Sequence, residues 1–160
     1  MATAAYELLN GLNVLPGQVD DRVDFATLQA WSDEVRQRAT QADRSAITDA
    51  RIGHLLAHAP VDPDDQAWPH RAVRQLVEEL SSDKVEQAIR IERLNMRGVY
   101  SKAIGEGGQQ ERALADQAKG WARAMPEFPR TANMLSAIAE MWFREGEAAD
   151  ARAAKEALRW

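Results

Sequence analysis

The chain has 160 residues, a formal charge of −5, 45% apolar residues and no cysteine. That composition suits a globular protein long enough to bury a core, and excludes disulfides and thiolate metal sites. The acidic balance also argues against broad nucleic-acid binding, which depends on neutralising phosphates with Lys and Arg.

Met1 to Leu12 lacks a basic flank and a long apolar run, so no signal peptide is expected there. No apolar stretch approaches the ~18–20 residues that span a bilayer. A cysteine-free chain without these signals fits a cytoplasmic protein with no membrane contact. Glycine and proline are sparse, whereas Ala, Leu, Glu, Gln and Arg, all good helix formers, are frequent.

Taken in order, a short helix is expected over Ala4 to Leu12, followed by a turn at Pro16-Gly17. Asp24 is suited to N-cap a helix whose apolar stripe is Phe25, Leu28, Trp31, Val35, Ala39 and Ala42. Asp43 to Ser45 breaks or caps. The next helix, Ala46 to His58, carries Ile47, Ile52, Leu55 and Leu56 and ends before Pro60. Asp62-Pro63-Asp64-Asp65 is turn chemistry, and Pro69 fits the first turn of a helix bearing Val73, Leu76, Val77 and Leu80.

Ser81 or Ser82 then caps a helix with Val85, Ala88, Ile89 and Leu94. After a glycine-rich segment, Leu114, Ala118, Trp121, Ala122 and Met125 form another stripe. Pro126 to Pro129 connects to a last helix with Met134, Leu135, Ile138, Ala139 and Trp142 inward. No segment alternates apolar and polar residues as a strand would.

The expectation is an all-α protein: one helical domain over 1–160, an irregular bundle of about seven helices. A short solenoid of helix pairs is the alternative, disfavoured by the lack of a strict repeat. The alanine-rich stretch 147–160 either projects as a C-terminal helix or packs on another chain. Trp160 at its end would suit an interface.

The segment Asn95 to Arg112 holds four of the nine glycines beside several charged residues. Arg97, Ser101, Lys102, Gly107, Gly108 and Arg112 are candidates for an anion or interaction site. Glycine-rich backbone ahead of a helix can aim N–H groups at an anion, and arginine adds a planar fork. The competing reading is a connector whose cations pair with Glu106, Glu111 or helix carbonyls. No Gly-Lys-Ser or Gly-Lys-Thr follows as in a P-loop, and no strand precedes as in a dinucleotide fold.

His54 and His58 lie four apart on one helix, the spacing of a two-histidine metal site, which Asp62, Asp64 or His70 could complete. His58 near the helix end also suits a plain dipole contact. No glutamate follows His54 directly, and the Asp62 run lacks the glycine and glutamate of a calcium loop. Glu78-Glu79 and Glu140 form no acid–base pair, since adjacent helix residues point apart. Trp31, Trp121 and Trp142 fall on apolar stripes. Trp68, in a loop, either plugs the core or anchors an interface.

Two groups of residues carry a resemblance. One is Ile52-Gly53, Leu56-Ala57, Ala59-Pro60, Asp62, Trp68-Pro69, Val73-Arg74 and Glu78-Glu79-Leu80. The other is Asn95, Arg97-Gly98-Val99, Ser101-Lys102, Glu106-Gly107-Gly108, Gln110-Glu111-Arg112 and Pro129-Arg130-Thr131-Ala132. Over about Tyr6 to Ala149 the chain resembles the C-terminal helical region of large uncharacterised bacterial proteins. The resemblance implies a module normally attached to something larger.

The expected function is therefore a non-enzymatic protein–protein interaction module of a bacterial cytoplasmic protein. It would need no cofactor, and its partner would be another protein, a parent-protein domain or a second copy. The alternative is a small-anion or nucleotide-phosphate binder using 95–112. A helix-turn-helix DNA reader lacks the basic helix it would need.

Overall fold

The computed structural model describes residues 13–158. The chain divides into two compact units, Met1–Asn95 and Met96–Trp160. The expected all-α class holds. Among the described residues there are six helices and one two-stranded sheet. The expected helix over Ala4 to Leu12 and the terminal Trp160 lie outside the described residues.

The first unit opens on an antiparallel hairpin, which the sequence pattern did not reveal. Strand β1 (Gln18–Val19) pairs with β2 (Arg22–Val23), with Gln18 opposite Val23 and Val19 opposite Arg22. Two-residue strands are too short for alternation to register. The turn at Pro16-Gly17 feeds it: Gly17 sits at φ 78°, and a Cβ there would meet Thr27 Cβ at 2.9 Å.

Helix α1 (Phe25–Gln41) starts as expected, with the Asp24 carboxylate accepting from the Thr27 N–H at 2.9 Å. A tight connection with Asp43 in the left-handed region leads to α2 (Ser45–Leu56). Ile47, expected on its inner stripe, is exposed, while Ile52, Leu55 and Leu56 are buried. Helix α3 (Arg71–Leu80) begins later than Pro69, contrary to expectation. His70 caps it with extended backbone, and the Pro69 carbonyl accepts from Arg74 Nε at 2.6 Å instead of opening the helix. Ser81, left-handed, closes α3. The Ser82 hydroxyl accepts from Val85 N–H at 3.4 Å at the start of α4 (Asp83–Asn95).

Helices α2 and α4 touch at Gly53. A Cβ added there would sit 2.4 Å from the Val85 carbonyl oxygen and 2.6 Å from Ala88 Cβ. Gly53→Ala is therefore expected to destabilise the protein. Overpacking of about 1–3 kcal/mol outweighs the roughly 1 kcal/mol that alanine gains in helix propensity. A chemical-denaturation midpoint equal to or above the wild type would contradict that close approach.

The second unit is a helical hairpin preceded by the 96–108 loop. Helix α5 (Gln109–Arg123) and α6 (Pro129–Ala157) run antiparallel. They meet where Gly108 faces Gly146: a Cβ on Gly108 would lie 2.2 Å from the Gly146 oxygen. The buried stripe of α5 is Glu111, Ala115 and Ala118, turned from the expected one that began at Leu114. A carboxylate on the inner stripe defeats a reading of apolar residues alone. Trp142 is buried, whereas Trp31 and Trp121 are half-buried.

The stretch from Glu147 onward, expected to project or to pack on another chain, continues the last helix. Helix α6 runs unbroken from Pro129 to Ala157, and its buried positions include Gly146 and Ala149. Asp150 pairs with Arg112, so this part of the helix lies on the start of α5. From Ala151 to Leu158 the side chains are largely exposed.

Candidate functional site

The glycine-rich segment brings most of its candidates together in the second unit, around two carboxylates. Glu111, 1% exposed, is the centre. Arg97 Nη1 donates to its Oε1 and Lys102 Nζ to its Oε2, each at 2.7 Å. Arg97 also donates to the Gln110 side-chain oxygen at 3.1 Å, and Lys102 to the Gly107 carbonyl at 2.7 Å. The Arg97 guanidinium stacks 3.4 Å from the Tyr100 ring centre and 5.1 Å from that of Trp142.

Burial alone would raise the Glu111 carboxyl pKa. The hydrogen bonds from Lys102 and Arg97 outweigh it and hold the value at about 2.

Asp150 of α6 is the second carboxylate. Its Oδ1 accepts from the Gly108 N–H at 2.8 Å and its Oδ2 from Arg112 Nη1 at 2.5 Å. The Gly108 amide and Arg112 hold its pKa below the usual carboxylate range. Gly107, at φ 64°, leaves room for it: a Cβ there would meet Asp150 Oδ1 at 2.4 Å. Ser101 contributes its carbonyl, which accepts from Gln110 Nε2 at 2.9 Å.

The helix N-terminus and the three cations of the candidate anion site are thus brought together, each with an acidic partner from the chain itself. An outside anion would have to displace Glu111 or Asp150. The geometry is that of a connector clamped onto α5 and α6. Sequence reading named Glu111 as one possible partner. It missed Asp150, 42 residues beyond Gly108 in sequence.

Trp68 is not an interface anchor. It is 2% exposed, and its indole N–H donates to the Ala59 carbonyl at 2.8 Å. The Arg93 guanidinium lies 4.3 Å from its ring centre, and burial lowers the Arg93 pKa.

The aspartate loop around Trp68 is a turn, built on Arg74, which is 1% exposed. Arg74 donates to both Asp65 oxygens, at 2.5 and 2.9 Å, and to the carbonyls of Pro69 and Ala67. Asp62 accepts from the N–H groups of Asp64 at 2.9 Å and Arg71 at 2.7 Å. Burial pushes Asp62 up, but those two amides bring it below the ordinary value. Its oxygens serve the fold, as a turn requires.

His54 and His58 share one partner that the sequence did not indicate. Glu92 of α4 lies between them, with Oε2 at 3.0 Å from His54 Nδ1 and Oε1 at 3.4 Å from His58 Nε2. The pair thus ties α2 to α4. Among the described residues no group of three or more His, Asp or Glu side chains is placed to hold a metal ion.

A groove of about 310 Å³ lies along α1 and the start of α2, lined by Arg36, Gln37, Thr40, Ser45, Thr48 and Asp49. Arg36 grips Asp49 with two hydrogen bonds, at 2.9 and 3.0 Å, and the Ser82 hydroxyl donates to the same carboxylate at 2.7 Å. Burial raises the Asp49 pKa, and Arg36 and Ser82 more than reverse it. Here too the charges are spent on joining helices.

No helix of the described residues is long and apolar enough to cross a membrane. No known protein family matches the chain, and neither a curated protein nor a solved structure is significantly similar to it.

Proposed function

We propose that the chain is a non-enzymatic protein–protein interaction module, with the 96–104 loop of the second unit as its contact surface. The observation that carries this reading is the exposure of Val99 and Ile104. Both side chains are fully in solvent, and Met96 and Tyr100 are partly so. Burying one such side chain stabilises by about 1.5–3 kcal/mol, so a partner that covered the loop would gain substantially. Arg97 and Lys102 face inward onto Glu111 and brace the loop from beneath. Trp68 plays no part in this surface.

The resemblance to a region of large bacterial proteins supports a partner that is another protein or a parent-protein domain. The absence of cysteine supports a cytoplasmic setting. The anion-binding alternative has less support, because Arg97, Lys102 and Arg112 are each paired with a carboxylate.

Val99→Asp combined with Ile104→Asp tests the proposal. The pair is expected to weaken partner binding about tenfold or more while leaving the unfolding midpoint within a degree or so of wild type. A photo-crosslinker placed at position 99 identifies the bound proteins in the cell. Unchanged crosslinking when Ile104→Asp is added would discard this surface.

A further inference from the structure

His70 stands where three segments of the first unit converge: β2, the aspartate loop and the first turn of α3. Its Nδ1 accepts from the Ala72 N–H at 3.1 Å and so caps α3. Its Nε2 faces the Val23 N–H of β2 at 3.4 Å. Each contact needs a lone pair on the ring nitrogen, and a neutral imidazole has only one. His70 can therefore hold one amide fully at a time, in one tautomer or the other. An imidazolium has no lone pair and can hold neither.

The charged groups around the ring are mixed. Asp62 Oδ2 lies 4.0 Å from Nε2. Asp62 and Asp64 of the loop favour the cation, while Arg74 of α3 and Arg22 of β2 oppose it. Burial is the largest influence and favours the neutral ring, so the His70 pKa lies below its ordinary value. Asp62 is already engaged by the Arg71 and Asp64 amides, so the ring must compete for it.

We propose that His70 is a pH-sensitive pin between the hairpin and α3. In its neutral form the ring holds the Ala72 amide through Nδ1 in one tautomer and the Val23 amide through Nε2 in the other. On protonation it releases both and turns Nε2–H toward Asp62. The hairpin and the preceding turn then loosen, freeing the buried side chains of Leu15 and Val23.

The linkage has a definite sign. The folded chain holds this proton less tightly than the unfolded one. The contribution is complete above about pH 6.5 and is lost as pH falls from there toward the lower folded value.

The test is a nitrogen–proton NMR titration of the full chain from about pH 8 to pH 5, following the His70 ring nitrogens. Protection of the Val23 and Ala72 amides is measured in the same samples, corrected for intrinsic exchange. Both amides are expected to lose protection about tenfold or more in step with the ring. His70→Asn, an N-cap acceptor that does not titrate, should keep Ala72 protected throughout. If that variant does not fold, the wild-type titration alone decides. A ring that titrates while both amides keep their protection would overturn the proposal.

Discussion

Replacing Arg74 with alanine is expected to cost the first unit about 3–5 kcal/mol, because it removes a buried guanidinium that donates four hydrogen bonds, two of them to a half-exposed Asp65. Arg74 is one of the most buried side chains, and its guanidinium joins Asp65 to the carbonyls of Pro69 and Ala67. Without it those two carbonyls lose a donor, and the loop that presents Trp68 to the core loses its clasp. For a chain of this size the thermal midpoint should drop by roughly 6–20 °C. Arg74→Lys should recover little, because an ammonium cannot supply the planar fork that meets four acceptors at once. Calorimetry of both variants checks this. A midpoint for Arg74→Ala within a degree or two of wild type would mean the loop holds its shape without the guanidinium.

Glu111→Gln is expected to have the second large effect, and one that depends on pH. The carboxylate, with its pKa held at about 2, is stabilising in full above about pH 4.5. That contribution is lost as pH falls through the interval down to about 2. Over this interval roughly 3 kcal/mol of stability should vanish, from the ~1.4 kcal/mol that each pH unit of displacement represents.

The amide variant has no such carboxylate, so its deficit against wild type should be large at neutral pH and shrink steadily in acid. Urea denaturation of the two proteins at a series of pH values measures the difference directly. A deficit independent of pH would show that Glu111 acts by packing and not as the counter-ion of Arg97 and Lys102. The same variant should loosen the 96–104 loop, because both cations that tie the loop to α5 lose their shared partner. It thus connects the stability of the second unit to the surface proposed for binding.

Much of the helical layout was legible because it is local. Asp24 caps α1 and Gln109 opens α5, as their flanking residues indicate. The apolar stripe of α6 from Met134 to Trp142 is buried as its spacing requires. Boundaries failed where a residue's partner is distant. Pro69 looks like a helix start until Arg74 takes its carbonyl, and the inner stripe of α5 cannot be placed without knowing that Glu111 is paired. Trp68 was ambiguous for the same reason: its burial depends on the Ala59 carbonyl and on a loop shaped by aspartates.

The candidate site divides along the same line. That 95–112 concentrates glycines and charges ahead of a helix is readable from neighbouring residues, because composition and helix-start signals are local properties. What those charges do depends on partners that the folding of distant segments brings in. Asp150, 42 residues beyond Gly108 and late in α6, reaches the Gly108 amide because Gly108 and Gly146 let the two helices meet backbone to backbone. Glu92 reaches His54 and His58 because Gly53 lets α4 approach α2. A charge pattern gives the sign and the count of the groups. Which of them neutralise one another is fixed by helix packing, and in this protein packing turns a segment that reads as an anion site into a braced connector with an exposed apolar loop.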